Sequence, residues 1–252
     1  MKKNQFIRLV IIVFFFYLTS STIYAQLDLV SGQQIDLSNA ISTLKSGNWT
    51  DASIWSNGQV PAANTDVIIN NNHTIYIDQQ GATSGQIIDL CRNLQIKQSA
   101  ILKMGHNTPS FSKDLRINGS ILCNGTFSAG RNQPTGSGDG HIYDYNSRIY
   151  INLNKETTYI SGSGFFNPKS LNITNSLGTK KLIIDHYNIL VDNFIIKSDN
   201  QVDVTVKEYS YVNIKQNLGL TGSTYQWSSE KAKASLVIEG LVIANNVGLF
   251  TK

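Results

Sequence analysis

The feature that most constrains this 252-residue chain is a succession of short runs rich in β-branched and aromatic residues, each ending in Asn, Gly, Ser or Asp. Almost every run is four to eight residues long and alternates between apolar and polar side chains, which is the pattern of a β-strand. The clearest runs are 67–70, 74–78, 86–90, 93–98, 100–104, 114–119, 120–127, 148–153, 170–176, 181–185, 189–197, 202–207, 211–215 and 235–245. The sequence therefore predicts an all-β protein.

The runs also repeat along the chain at intervals of roughly 20 to 25 residues, a period typical of solenoids. Segment 92–103 aligns with 113–124 at an offset of 21, and Leu171 recurs as Phe194 at an offset of 23. One such repeat cannot bury its apolar side alone, but stacked repeats share a continuous core. The spacing predicts a parallel β-helix in which turn asparagines hydrogen-bond between coils. A β-sandwich is the alternative, because it also has evenly spaced short strands.

The composition supports a chain of strands and turns. Only 15% of the residues are charged, and four glutamates stand against 26 asparagines and 19 glycines. Glutamate favours helices, whereas asparagine and glycine are typical of turns. This balance argues against a helical or Rossmann-like enzyme and excludes a coiled coil and collagen.

The first 25 residues have the organisation of a secretory signal peptide. Lys2, Lys3 and Arg8 precede an apolar stretch at 9–18 that is too short to span a bilayer comfortably, and we place cleavage after Ala25. Removing this segment leaves 18 basic and 17 acidic side chains, so the net charge of +4 falls to +1. The mature chain therefore gives no indication of a nucleic acid or anionic membrane partner.

The remaining chain divides into a polar lead-in or capping segment at 26–46 and a β-helix domain at 47–252. No recognisable cap follows the last strands, and one alternative is therefore that the chain is the N-terminal piece of a longer adhesin. An uncapped β-helix end exposes unpaired strand edges, and we expect it to associate end to end.

The opening of the β-helix domain carries a distinct motif. Trp49 and Trp55 are six residues apart and are followed by Gly58, Pro61 and Asp66, after which two β-branched strands begin. This arrangement closely resembles the start of the G8 domain and of related secreted Bacteroidetes-type β-helix proteins.

The resemblance covers about residues 47–105 and implies a right-handed β-helix in an extracellular protein. Ala63 and Asn64 depart from the pattern, since the family often has glycine before the aspartate, which implies a looser turn. Some animal proteins with such domains take part in hyaluronan breakdown, but no matching catalytic residues are present here to carry that activity over.

The two tryptophans of the motif have two interpretations. Two indoles can cover the open end of an apolar column, with Gly58 and Pro61 shaping the entering turn and Asp66 capping backbone N–H groups. Alternatively, Trp49 and Trp55 form a platform on which a sugar stacks. The capping interpretation is favoured.

A Gly-rich loop at 128–147 is the place where a catalytic or ligand site is best sought, because sites concentrate on loops of rigid scaffolds. Asp139 or Asp144 would act as acid or base, and Arg148 would neutralise an acidic sugar. The candidate ligand-binding residues are Trp49, Trp55, Arg131, His141 and Tyr143. The favoured alternative is that the loop simply carries solvated charges.

The sequence shows no metal or cofactor motif. Cys91 and Cys123 have no zinc-ligand spacing, and they either form one disulfide or are two buried thiols. The four histidines are scattered. We therefore expect no metal and no cofactor.

Taken together, these patterns predict an exported, non-enzymatic β-helix protein with a structural or adhesive role at the cell surface or outside the cell. Its partner would be an extracellular glycan or a surface protein. The alternative is a carbohydrate-binding or polysaccharide-degrading β-helix, which would be a lyase or a glycoside hydrolase.

Overall fold

The computed structural model describes residues 35–77, 87–104, 114–129, 148–221 and 234–249. The chain is nearly all β, with about 2% helix, and forms a right-handed parallel β-helix of about 6 turns. All paired strands in these ranges are parallel, and the isolated bridge between Thr43 and Trp55 is antiparallel. The β-helix prediction is confirmed, and the alternative of an antiparallel sandwich is wrong.

The described strands are short at first and become longer toward the end of the chain. They are β1 (Ile41–Ser42), β2 (Gly47–Asn48), β3 (Val67–Ile69), β4 (Thr74–Ile77), β5 (Ile87–Cys91), β6 (Leu94–Ile96), β7 (Ile101–Met104), β8 (Asp114–Ile117), β9 (Ile121–Cys123), β10 (Thr126–Ala129), β11 (Arg148–Asn152), β12 (Thr157–Gly162), β13 (Phe165–Pro168), β14 (Ser170–Asn175), β15 (Lys180–His186), β16 (Ile189–Ser198), β17 (Val202–Val206), β18 (Tyr211–Thr221), β19 (Ala234–Ile238) and β20 (Leu241–Leu249). A 3-10 turn lies at Ala52–Ile54.

The strands form three faces. Face I is the eight-stranded sheet, in the order β1, β3, β6, β9, β12, β15, β17, β19. The other sheet bends into face II, which contains β2, β4, β7, β10 and β13, and face III, which contains β5, β8, β11 and β14. Strands β16, β18 and β20 run across both faces, with register shifts near Asp192 in β16 and near Lys215 in β18. Strand β1 lies within the predicted lead-in or capping segment at 26–46 and pairs with β3 of face I.

The core is a column of inward-facing side chains that alternate with outward-facing ones along each strand. On face I, Val67, Leu94 and Ile121 are aligned from coil to coil, and all three are fully buried. Burying one such side chain contributes roughly 1.5–3 kcal/mol, so a coil becomes stable only when it stacks on a neighbour.

The register confirms one predicted repeat and corrects another. Leu171 lies opposite Phe194, as the offset of 23 predicts. Segments 92–103 and 113–124 are not aligned on each other, because Leu94 pairs with Ile121 of face I, whereas Leu115 pairs with Ile88 of face III. Two strands of different faces had similar sequences because every face needs the same alternation of apolar and polar residues.

Two corners of the solenoid differ in how tightly the chain turns. At the corner between faces I and II, a Cβ atom on Gly164 would clash with the Gly125 carbonyl oxygen, so the coils are in close contact there. At the corner between faces II and III, residues 78–86, 105–113 and 130–147 separate the strands of three successive coils, whereas Lys169 alone separates β13 from β14. The number of residues per coil varies because the strands at this corner are joined by connections of different length.

Candidate interaction surface

The N-terminal end of the column is closed by the tryptophan pair. The rings of Trp49 and Trp55 meet edge to face with centroids 4.9 Å apart, and the indole Nε1–H of Trp55 donates to the Trp49 carbonyl oxygen at 2.9 Å. The two residues are only 2% and 1% exposed, respectively. A sugar needs an exposed ring face, so the structure corrects the ligand-binding prediction for Trp49 and Trp55 and agrees with the capping interpretation.

The segment carrying these tryptophans folds back across the first strand. The Leu44 N–H donates to the Ile54 carbonyl oxygen at 2.7 Å, and the Ser56 N–H donates to the Ser42 carbonyl oxygen at 2.9 Å. The Asp51 carboxylate caps the 3-10 turn by accepting the Ser53 N–H at 2.9 Å. The backbone edge next to β1 is therefore occupied by the chain itself, which protects it from pairing with another strand.

Behind the cap, Asp66 joins two coils through a buried network. Its carboxylate accepts the backbone N–H of Asn93 at 3.1 Å and the Arg92 Nε–H at 2.8 Å, and the guanidinium Nη2 makes a second contact. Burial raises the pKa of this carboxyl, but the Arg92 and Asn93 hydrogen bonds outweigh burial and lower it below its ordinary value. Backbone capping by Asp66 matches the sequence prediction, whereas the role of Arg92 has no sequence signal, because its partner is 26 residues away.

The asparagine contacts between coils are also present. The Asn152 amide donates to the Asn118 side-chain oxygen at 3.2 Å, and the Asn217 amide donates to that of Asn193 at 2.7 Å. These bonds link adjacent turns of face III and hold their register.

Two cysteines and a histidine are buried in the described part of the column. Cys91 and Cys123 are free thiols, so the interpretation as two buried thiols holds and the disulfide interpretation is wrong. Burial raises the pKa of both, that of Cys123 to about 12, so both stay protonated and unreactive. Burial lowers the pKa of His186 to about 4. Its Nδ1 accepts the Asn188 N–H at 3.1 Å, so Nε2, 3.2 Å from the Cys123 carbonyl oxygen, carries the proton.

The opposite end of the column, formed by β19 and β20, is open. Leu236 and Ile238 align with the buried Val204 and Val206 and therefore continue the core, yet they are 41% and 49% exposed. The neighbouring outward-facing side chains are exposed and apolar too, namely Val237, Leu241 and Ile243. We call these five residues the open-end patch. Sequence reasoning predicted an uncapped end here but did not name these residues.

Of the residues predicted to form a site at this loop, Arg148 lies within the described part of the chain. Asp139, Asp144, Arg131, His141 and Tyr143 lie outside the described residues. Arg148 begins β11, and its guanidinium lies 5.9 Å from the centroid of the Tyr150 ring, which also has the Lys197 ammonium 5.6 Å away. The Tyr150 ring is itself buried, so this arrangement is a packed cation–π cluster on face III.

Three described tyrosines from the second half of the sequence lie on three different faces of the solenoid. Tyr150 lies on face III, Tyr159 on face I and Tyr211 on face II. Because glycan stacking needs coplanar rings on one side of the molecule, these three residues do not form a common platform.

Neither a metal site nor a membrane-spanning helix is found within the described ranges. There, no three His, Cys, Asp or Glu side chains are grouped so that they could hold a metal ion. In the same part of the chain, no helix has the length and apolar character needed to cross a bilayer.

Comparison with known proteins gives no relative. No protein-family model, no curated protein and no solved structure matches this chain. The resemblance of residues 47–105 to the G8 domain accordingly stays a prediction.

Proposed function

We propose that this chain is an exported β-helix protein with a structural or adhesive role at the cell surface or outside the cell, and that it joins another β-structure through its open-end patch. The observation that carries the proposal is the exposure of Leu236 and Ile238, which occupy core positions of the column. Large apolar side chains that are exposed at core positions are typical of an interaction site.

The strand edge beside this patch supports the same function. Within the described residues, β19 pairs only with β17, and β20 pairs only with β18. Among the described strands, each therefore has one side without a partner, whose N–H and C=O groups can add a further strand. Strand addition would extend the sheets and bury the apolar patch in one event.

The export part of the proposal rests on the N-terminal sequence. A positively charged start, an apolar stretch at 9–18 and small residues ending at Ala25 are typical of a secretory signal. Expression of the full chain, followed by N-terminal sequencing of the exported protein, should give Gln26 as the first residue. Retention of the uncleaved chain in the cytoplasm would contradict export.

The adhesive part is tested on cells that express the full chain. We expect these cells to adhere to one another or to a surface, and we expect Leu236→Lys to abolish this adhesion because it places a charge in the open-end patch. Leu177→Lys is the matched control, since Leu177 is 73% exposed and lies in the turn between β14 and β15. Equal adhesion by all three forms would contradict the proposal.

The carbohydrate-active alternative has its own readout. The exported protein is incubated with a panel of polysaccharides, and chain length is measured. Cleavage that is lost in Asp139→Ala or Asp144→Ala would establish an enzyme and overturn the structural role. Binding without cleavage would establish a glycan adhesin.

A further inference from the structure

We propose that His186 is an acid-sensitive latch, whose protonation opens the corner between faces I and II locally and gives solvent access to the Cys123 thiol while the other coils stay folded. Three observations support this latch: the reach of the imidazole across the stack, the partners of its two nitrogens, and the groups that enclose it. The latch is independent of the open-end patch, because none of its bonds involves β19 or β20.

The His186 ring reaches across one coil to bond with the next. His186 lies opposite Gly162 of β12, which has no side chain to fill the column. The His186 Nε2 atom is 3.2 Å from the carbonyl oxygen of Cys123, at the end of β9, two strands away on face I. Gly162 is so close to the Cys123 backbone that an added Cβ atom would clash with it. The imidazole therefore connects three successive coils at one corner.

Both ring nitrogens already have backbone partners. Nδ1 accepts the Asn188 N–H at 3.1 Å, so Nε2 carries the proton and donates to the Cys123 carbonyl oxygen. The Asn188 carbonyl oxygen accepts the Phe166 N–H at 3.1 Å, which ties the same turn to the coil below. A second proton on the ring must bind Nδ1, where it meets an N–H donor instead of an acceptor. Protonation thus breaks the bond between His186 and Asn188 and sets two donors against each other.

The surroundings of the ring do not stabilise a positive charge. His186 is 1% exposed, and its ring centroid lies 6.0 Å from that of Phe166. The Cys123 thiol is uncharged, since burial raises its pKa to about 12. On the described elements around the ring, the other titratable side chains lie on the outer side of the solenoid, namely Asp185, Tyr187, Lys207, Glu208, Tyr209, Tyr211 and Glu239. Burial accordingly lowers the pKa of His186 to about 4, and the imidazolium is relieved only when the corner opens.

The turn that opens lies next to the Cys123 thiol. Cys123 is fully buried, and its Sγ atom is 3.6 Å from the Gly125 carbonyl oxygen and 3.8 Å from that of Phe165. Phe165 directly precedes Phe166, whose N–H bonds to the turn that His186 holds. Loss of the imidazole from this corner therefore uncovers Cys123 first.

Cys91 provides an internal control for local opening. It is also free and fully buried, but it lies in β5 of face III, beside Arg92. Arg92 is held by the Asp66 carboxylate, whose pKa is below its ordinary value, so this bond persists in mild acid. We therefore expect Cys91 to stay covered under conditions that open the His186 corner.

The latch is tested by labelling the thiols of the purified full chain with dithiodipyridine, which forms a mixed disulfide with cysteine and releases thiopyridone. The rates at Cys123 and Cys91 are measured separately by mass spectrometry at pH 7.5 and pH 5, and each is divided by its rate in the unfolded chain at the same pH. From a pKa of about 4 when folded and about 6.5 when open, we expect the corrected Cys123 rate to be about 30-fold higher at pH 5. The corrected Cys91 rate should not change.

Two variants assign the effect to the imidazole. His186→Gln keeps a donor and an acceptor but takes up no proton, so its corrected Cys123 rate should be the same at both pH values. Tyr187→Phe is the matched control, because Tyr187 lies in the same turn and is 37% exposed, and it should keep the full increase. The pH profile of the unmodified chain decides the question even if His186→Gln fails to fold. Its increase should begin near pH 6.5 and approach about tenfold per pH unit, as uptake of one proton by an imidazole requires.

Three results would overturn the latch. The first is an equal acceleration of Cys91 and Cys123 at pH 5, which would mean that the whole column unfolds. The second is a corrected Cys123 rate that does not rise in acid. The third is a rise that persists in folded His186→Gln, or one that begins only below about pH 5, where carboxyl groups titrate.

Discussion

At the N-terminal end of the solenoid, two buried tryptophans and a folded-back strand close the apolar column, whereas at the end formed by β19 and β20 the column's own leucine and isoleucine are exposed. Both ends present the same problem, since the last coil of a solenoid has no neighbour on one side. One end solves it within the chain, through Trp49, Ile54 and Trp55. Among the described residues, the contrast shows that aromatic rings cover the column at one end, whereas its own aliphatic side chains are exposed at the other.

The largest expected effect comes from opening the closed end. Trp55→Ala should lower the free energy of unfolding by about 3–5 kcal/mol, because it removes a fully buried ring and leaves a cavity. Leu236→Ala at the open end should cost about 1 kcal/mol or less at low protein concentration, since partly exposed side chains lose little on truncation. Urea unfolding of both variants measures the difference. Equal losses in the free energy of unfolding would show that Leu236 is covered, and would contradict the difference between the two ends.

Acid should loosen the half of the column that contains His186. Its pKa is about 4 in the folded protein and about 6.5 in the unfolded chain, so unfolding takes up a proton between these values. The stability present above pH 6.5 should therefore fall by up to about 3 kcal/mol as the pH drops toward 4. Denaturant unfolding at several pH values measures this loss.

His186→Gln keeps a donor and an acceptor in the same place and should flatten the pH dependence. In hydrogen exchange at pH 4.5, we expect β15 to β18 to lose protection before β3 and β6. The reverse order would contradict a weaker half next to the open end.

Two aspartates, one near each end of the column, allow a second comparison of the two ends. Asp66→Asn removes the charge that holds Arg92 and should cost about 2 kcal/mol, because charge-assisted bonds of a buried group are lost. Asp203 near the open end accepts Ser235 Oγ–H at 2.6 Å and the Gln201 amide at 2.7 Å on the outer surface of face I. Asp203→Asn should have a clearly smaller effect in the same urea titration. A larger effect there would mean that the outer hydrogen bonds, not the buried network, hold the coils together.

The folded pKa of Asp66 is lowered, so its contribution is present at neutral pH and is lost as the pH falls through the acid range below the unfolded value. In Asp66→Asn, this part of the acid-induced loss of stability should disappear. Persistence of the whole loss would assign it to other carboxyl groups.

The smallest effect is expected at the exposed ion pair of the last coil. Glu239→Gln should change the free energy of unfolding by less than about 0.5 kcal/mol, because both charges are well solvated. A double-mutant cycle with Lys207→Gln isolates the pair. A coupling well above this value would show that the pair is shielded from water, as it would be if another chain covered the edge.

Much of the fold could be predicted from the sequence, because alternation of apolar and polar residues reports directly on which side of a strand faces the column. The runs at 120–127 and 235–245 were each predicted as one strand, whereas the structure divides each of them in two at a glycine turn. Strands β12 and β13 were not predicted, because the stretch where they meet, Gly162 to Gly164, resembles a loop. Gly162 has a φ of +121°, and its role depends on the close approach of Cys123 in the coil below, which no local pattern reveals.

The candidate site was less predictable for a related reason. The Trp49 and Trp55 motif is local, and its capping function follows from the sequence. The open-end patch is not distinctive as sequence, because Leu236 and Ile238 have the same alternation as the buried strands before them. They are exposed because of where their coil lies in the stack, and only the three-dimensional arrangement shows this. Likewise, the pairing of Asp66 with Arg92 depends on the length of a full coil.

The unequal corners have a practical consequence for protein engineering. Between faces I and II the chain is locked by glycines in contact with the neighbouring coil, so added residues there would separate the turns. Between faces II and III the same stack accepts either a short turn at Lys169 or the much longer connection 130–147 without a change in strand pairing. Loop-closure entropy grows only slowly with length, so grafted peptides should be tolerated at Lys169 or Asp192. The solenoid can thus serve as a scaffold that displays inserted peptides along the corner between faces II and III.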